Sequence, residues 1–86
     1  MELIKEDERG RVYQADNFKI FYRYKGTVSG DNSKNKKELI YLTTGSAKIT
    51  LETNTRIAES PAKIEIPANT YHKIEALTDI SFVLYD

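Results

Sequence analysis

Apolar residues in this chain recur at every second position in short runs, each closed by residues that turn the backbone. Ala47, Ile49 and Leu51 alternate with Lys48, Thr50 and Glu52. Ile64 and Ile66 alternate with Lys63 and Glu65, and Ile74 and Ala76 with Lys73 and Glu75. Ile40 and Leu42 set another such face, and Ile80, Phe82 and Leu84 a last one. A period of two sends successive side chains to opposite faces, so each run predicts a strand with one apolar and one polar side. In the run from 18 to 25, Phe18, Ile20, Tyr22 and Tyr24 share one face and are expected inside. Lys19, Arg23 and Lys25 lie opposite, with Phe21 the exception. No stretch repeats apolar residues at three-four spacing for more than a turn, so no helix is expected.

Turn-forming residues fall between the runs at Asp16-Asn17, Thr44-Gly45, Thr53-Asn54-Thr55, Ser60-Pro61, Pro67-Ala68-Asn69 and Thr78-Asp79. Short strands with turns about every eight to twelve residues indicate an all-β sandwich or barrel. A lone sheet would leave its apolar face wet, and closure into a small antiparallel barrel removes that cost. One domain over 1–86 is expected, with residues 1–9 either loosely held or adding an edge strand.

Composition narrows the functional classes. Nine Ile, eight Thr and three Val support strands. Thirteen basic residues balance thirteen acidic ones, which speaks against nucleic acid or an anionic membrane as partner. Without cysteine, thiolate metal sites, disulfides and thiol catalysis are excluded. No signal peptide or membrane-length apolar run is evident, so a soluble, cytoplasmic protein is expected.

Strand parity also places polar groups. Glu38 shares the parity of Ile40 and Leu42, and His72 that of Ile74 and Ala76, so both should point inward. Tyr22 and Tyr24 go with them on the assignment above. If the segment before Glu38 is extended, Asn32, Lys34 and Lys36 follow. A buried charge is costly unless paired, so a cluster is the credible arrangement, and a polar cluster in an apolar interior marks a pocket.

These residues sit in two spacings that resemble the cupin family. Gly26-x5-Asn32-x-Lys34-x3-Glu38-x6-Gly45 has the spacing of the first cupin motif, and Pro61-x5-Pro67-x-Asn69-x2-His72-x3-Ala76 that of the second. The resemblance covers roughly residues 18 to 86 and implies a small cupin-like β-barrel, a double-stranded β-helix or jelly roll. It also implies four metal-ligand positions, which here are Asn32, Lys34, Glu38 and His72. Only Glu38 and His72 are ordinary ligands, and a protonated lysine has no lone pair to give. The motif is therefore degenerate and no metal or other cofactor is expected. Lys34 is instead expected to supply the missing positive charge beside Glu38. Asn69 replaces a glycine and tolerates left-handed backbone, whereas Pro61 cannot, so its turn should be built differently.

Simpler readings stand beside the functional ones. His72 could be a core histidine bonded to a carbonyl or to Glu38, and Glu38 half of a structural pair. Tyr41, Phe21, Val83 and Tyr85 fall on outward parities, which suits a partner surface and, with the resemblance, a homodimer. The expected function is binding of a small molecule by Tyr22, Tyr24, Asn32, Lys34, Glu38 and His72, an anionic one where Lys34 makes the contact, or an accessory role. One alternative is a metal-independent isomerase or epimerase acting on a sugar or keto acid, with His72 and Tyr22 exchanging protons and Glu38 orienting the imidazole. Another is a weak divalent-metal site of Asn32, Glu38 and His72.

Overall fold

The computed structural model describes residues 1–85; Asp86 lies outside them. The described residues form β1 (Glu2–Asp7), β2 (Gly10–Gln14), β3 (Lys19–Arg23), β4 (Val28–Asn32), β5 (Glu38–Thr44), β6 (Ser46–Leu51), β7 (Asn54–Glu59), β8 (Ala62–Ile66), β9 (His72–Ala76) and β10 (Ile80–Tyr85). One sheet has six strands in the order β1-β2-β3-β10-β5-β8, the other four in the order β4-β9-β6-β7. The paired strands run antiparallel. The interior is thus enclosed by packing two sheets face to face, as in a jelly roll, rather than by one continuous ring of hydrogen bonds. Residues 2–7 take the edge-strand alternative, pairing with β2 from Glu2 opposite Gln14 to Asp7 opposite Gly10. No helix among the described residues is long and apolar enough to cross a membrane.

Both sheets turn their apolar parity inward. Ile40, Leu42, Ala47, Ile49, Ala58, Ile64, Ile66, Ile74, Ala76, Ile80 and Phe82 form one buried cluster, with Leu51 and Leu84 packed against it. Burying one such aliphatic side chain contributes about 1.5–3 kcal/mol, so the cluster holds the two layers together. The tight β5–β6 connection depends on Gly45, whose φ of 85° is left-handed and whose missing Cβ would run into the Asp79 carbonyl. Asn69 does adopt left-handed backbone, with φ of 54°, and the turn at Pro61 contains a cis Ser60–Pro61 bond.

The face of β3 is the reverse of the expected one. Phe21 points inward and stacks on Phe82 with ring centroids 4.7 Å apart, and Arg23 is buried at 4% exposure. Tyr22 and Tyr24 point outward and are about half exposed. The reason lies in the outer surface of the six-stranded sheet, which carries its own aromatic contacts. Tyr13 meets Tyr22 edge to face, Phe18 packs on Tyr85, and Tyr85 meets Tyr41. Apolar count alone therefore selected the wrong side of β3, and Phe21 is withdrawn from the outward set that Tyr41, Val83 and Tyr85 occupy.

Candidate functional site

Glu38 opens β5 and His72 opens β9, and parity carries both side chains into the space between the sheets. There His72 Nε2 stands 3.7 Å from Glu38 Oε1, with the side chains 7% and 18% exposed. His72 Nδ1 donates to the Thr70 carbonyl at 3.0 Å, the bond expected of a satisfied core histidine. That bond leaves Nε2 as the ring nitrogen facing the carboxylate. The pair borders a cavity of about 180 Å³ lined also by Phe21, Asn32, Ile40, Ile74, Phe82 and Leu84.

Loops on either side hold the pair in place. Asn35, in the loop before Glu38, donates from Nδ2 to the Pro67 carbonyl at 2.9 Å and accepts at Oδ1 from the Thr70 N–H at 3.1 Å. Its own carbonyl accepts from the Asn69 N–H at 2.9 Å. The segment leading into β5 is thereby stitched to the segment leading into β9. Tyr71 adds a bond from its hydroxyl to Asp31 at 2.6 Å, which pushes the Tyr71 phenol pKa up. Gly30 packs directly on the imidazole: a Cβ there would lie 2.8 Å from His72 Cδ2.

A second cavity of about 320 Å³ neighbours the first, with Phe21, Ser29 and Gly30 lining both. Its remaining lining is Ile4, Lys5, Arg9, Val12, Lys19 and Arg23. Register explains the gathering of charge. Lys5 lies opposite Val12, and Val12 opposite Phe21, so Lys5, Val12 and the Lys19-Phe21-Arg23 face of β3 look the same way. Arg9, in the turn between β1 and β2, reaches the Val28 carbonyl in the other sheet at 3.3 Å. Asp7 lies 3.7 Å from Lys5 and 3.8 Å from both Arg9 and Arg23. The hydrogen bond from the Arg9 backbone N–H is the largest cause holding the Asp7 carboxyl below its ordinary value, and those three cations act in the same direction. Burial is the largest cause lowering the Arg23 guanidinium, with Arg9 adding to it and Asp7 opposing.

Of the residues expected at the site, the cavity unites Glu38, His72 and Asn32. Tyr22 and Tyr24 do not reach it; they line an outer concavity of about 640 Å³ with Arg11, Tyr13, Asp79 and Arg23, the last of which also borders the second cavity. Lys34 is exposed and does not line the cavity, and Lys36 is exposed likewise. Extension fails there because β4 bulges between Gly30 and Asn32, Asp31 is left-handed with φ of 60°, and no strand resumes before Glu38. The expectation that a lysine ammonium replaces the ion beside Glu38 is therefore withdrawn. Lys5, Arg9, Lys19 and Arg23 were missed, because a basic residue in an alternating run reads as solvent-facing. Choosing Phe21 as the inward residue was the one signal that could have found two of them.

The donor set does not fit the metal centre that the motif spacing implies. Asn32 Oδ1 accepts the Lys34 N–H at 3.2 Å and its Nδ2 donates to the Gly30 carbonyl at 3.2 Å. That leaves Glu38 and His72 as ordinary ligands, and among the described residues no group of three or more His, Cys, Asp or Glu could hold an ion.

No protein-family model matches the chain, and no curated protein matches its sequence. Solved structures do match. The capsular polysaccharide assembling protein CapF from Staphylococcus aureus aligns with a TM-score of 0.84 and 16% identity, over 99% of this chain and 28% of that one. KdgF from Halomonas sp. aligns with a TM-score of 0.80 and 14% identity, over 99% of this chain and 86% of that one. A Cupin 2 conserved barrel domain protein from Salinispora arenicola CNS-205 aligns at 0.68 and 17% identity, over 95% of this chain and 80% of that one. The chain has a cupin-type fold, as the two motif spacings implied. At these identities the shared property is the backbone architecture, and against CapF the chain spans little more than a quarter of the other's length.

Proposed function

We propose that this cupin-type chain binds a small molecule between its sheets, using Glu38 and His72 as the polar contacts. The observation that carries the reading is the pair itself. A carboxylate and an imidazole 3.7 Å apart, both largely withdrawn from water, open on a cavity walled also by Phe21, Ile40, Ile74, Phe82 and Leu84, with Ser29, Gly30 and Asn32 completing it. Mostly apolar walls with a few convergent polar groups are the general form of a small-molecule site. A fragment screen read by backbone amide shifts tests it. Binders should move the Ile40 and Ile74 amides, and Glu38→Gln should weaken them about tenfold, the range of a lost charge-assisted bond. If no compound moves those amides, or if Glu38→Gln binds as the native chain does, the proposal fails.

Proton transfer without a metal is the second reading, and one contact favours it. With Nδ1–H committed to Thr70, Nε2 is free to exchange a proton with a bound molecule while Glu38 steadies the imidazolium. Tyr22 takes no part in such a reaction, since it faces outward. Turnover on a sugar or keto-acid panel that disappears in Glu38→Gln would move this reading ahead of simple binding.

A further inference from the structure

Arg23 presents a problem that its protein contacts leave unsolved. Its guanidinium is 4% exposed, yet Nε and Nη1 have no hydrogen-bond partner among the described residues. Asp7 lies 3.8 Å away from Nη1, too far for a hydrogen bond. The Phe21 ring, 5.2 Å from the guanidinium carbon, offers only its π face. A buried charge with unmet donors is costly. Arg23 is a lining residue of the second cavity, where Lys5, Arg9 and Lys19 also sit and no carboxylate contributes; Nε and Nη1 are buried just behind that wall. Asp7 is the acid near these cations, and it is already shared among three of them.

We infer that Arg23, with Arg9, Lys5 and Lys19, forms a subsite for the anionic end of a small molecule, a carboxylate or a phosphate, at the mouth of the cavity. Guanidinium matches such anions because its planar N–H groups can pair with two oxygens at once. Ser29 and Gly30 of β4 close the opposite wall and are shared with the Glu38–His72 cavity. One ligand can therefore place its charge against Arg23 and its other end against His72. The inference deepens the proposed function and rests on it for that other end, while the anion subsite can be tested alone.

The test is a titration of full-length, nitrogen-15-labelled protein with inorganic phosphate, with malonate as the carboxylate arm and sodium chloride at matched ionic strength as reference. At least one anion should give saturable shifts of the Ser29 and Gly30 amides and of the Arg23 Nε–H signal; which one does so names the ligand's charged group. Arg23→Met should weaken binding about tenfold or more, and Arg9→Gln and Lys19→Gln should each weaken it. Lys63→Gln, an exposed lysine paired with Glu65, should leave it unchanged. Shifts that fail to saturate, or that chloride reproduces, reduce the effect to screening and overturn the subsite. So does native affinity in Arg23→Met, or a loss in Lys63→Gln as large as in Arg23→Met. If Arg23→Met does not fold, native affinity in both Arg9→Gln and Lys19→Gln overturns it. Anion binding intact with no compound found at Glu38 and His72 sinks the cavity proposal and spares this one; the converse result does the opposite.

Discussion

Ile40, Ile49, Ile64 and Ile74 are inward positions that are apolar and exposed by 5% or less, whereas along β3 the inward positions read Lys19, Phe21, Arg23. The first region is the common product of strand alternation, and each position in it adds to stability. The second puts charge where charge is costly and keeps two guanidinium nitrogens without a hydrogen-bond partner among the described residues. Sharing one interior, the two regions differ in what they contribute: the apolar part holds the layers together, and the cationic part holds donors that the described residues leave unmet.

Five substitutions bear on that division. The largest effect is expected from Ile64→Ala, at 1% exposure within the core, which should cost about 2–5 kcal/mol in urea unfolding. Ile4→Ala at the cationic end, 47% exposed, should stay within about 0.5 kcal/mol; similar costs at both sites would erase the contrast. Gly30→Ala comes next, because φ of 86° and the contact with His72 leave no room for a methyl. About 1–3 kcal/mol should be lost, with a shift of the His72 ring resonances that Ser29→Ala does not reproduce. Arg23→Met should hold or raise stability, by about 1 kcal/mol or more, since an apolar side chain of similar volume removes an ill-satisfied buried charge. A loss above about 2 kcal/mol would make Arg23 part of the structural half instead.

The smallest effect concerns acid. The folded state holds the Asp7 carboxyl below its ordinary value of 3.8. Its contribution is therefore fully present above pH 3.8 and is lost as pH falls through the lower, folded-state value. Asp7→Asn should be less stable than the native chain at neutral pH and should lack that component of the decline below 3.8. Identical acid-unfolding profiles for the two proteins would show that neither the Arg9 backbone N–H nor the three cations favour the charged carboxylate.

The apolar half was legible because its strands alternate cleanly, so parity alone put Glu38 beside Ile40 and His72 beside Ile74. Asn69 was legible for a different reason, as few residues fill a glycine position with φ of 54°. The cationic half was not legible. β3 is apolar on both faces, Phe21 against Ile20 and Tyr22, and periodicity cannot choose between two such faces. Lys34 misled because extension was assumed across Asp31, whose left-handed backbone ends the alternation. Register between β1, β2 and β3 decides which basic residues share a face, and that is a tertiary property.

Asn35 touches neither cavity, yet it bridges the approaches to β5 and β9. Its amide thus works as a spacer gauge, fixing how far apart the acid and the imidazole stand before any guest arrives. A survey confined to residues in contact with a guest would pass over it. Redesigners wishing to widen or narrow the gap have in Asn35 a dial that lines neither cavity.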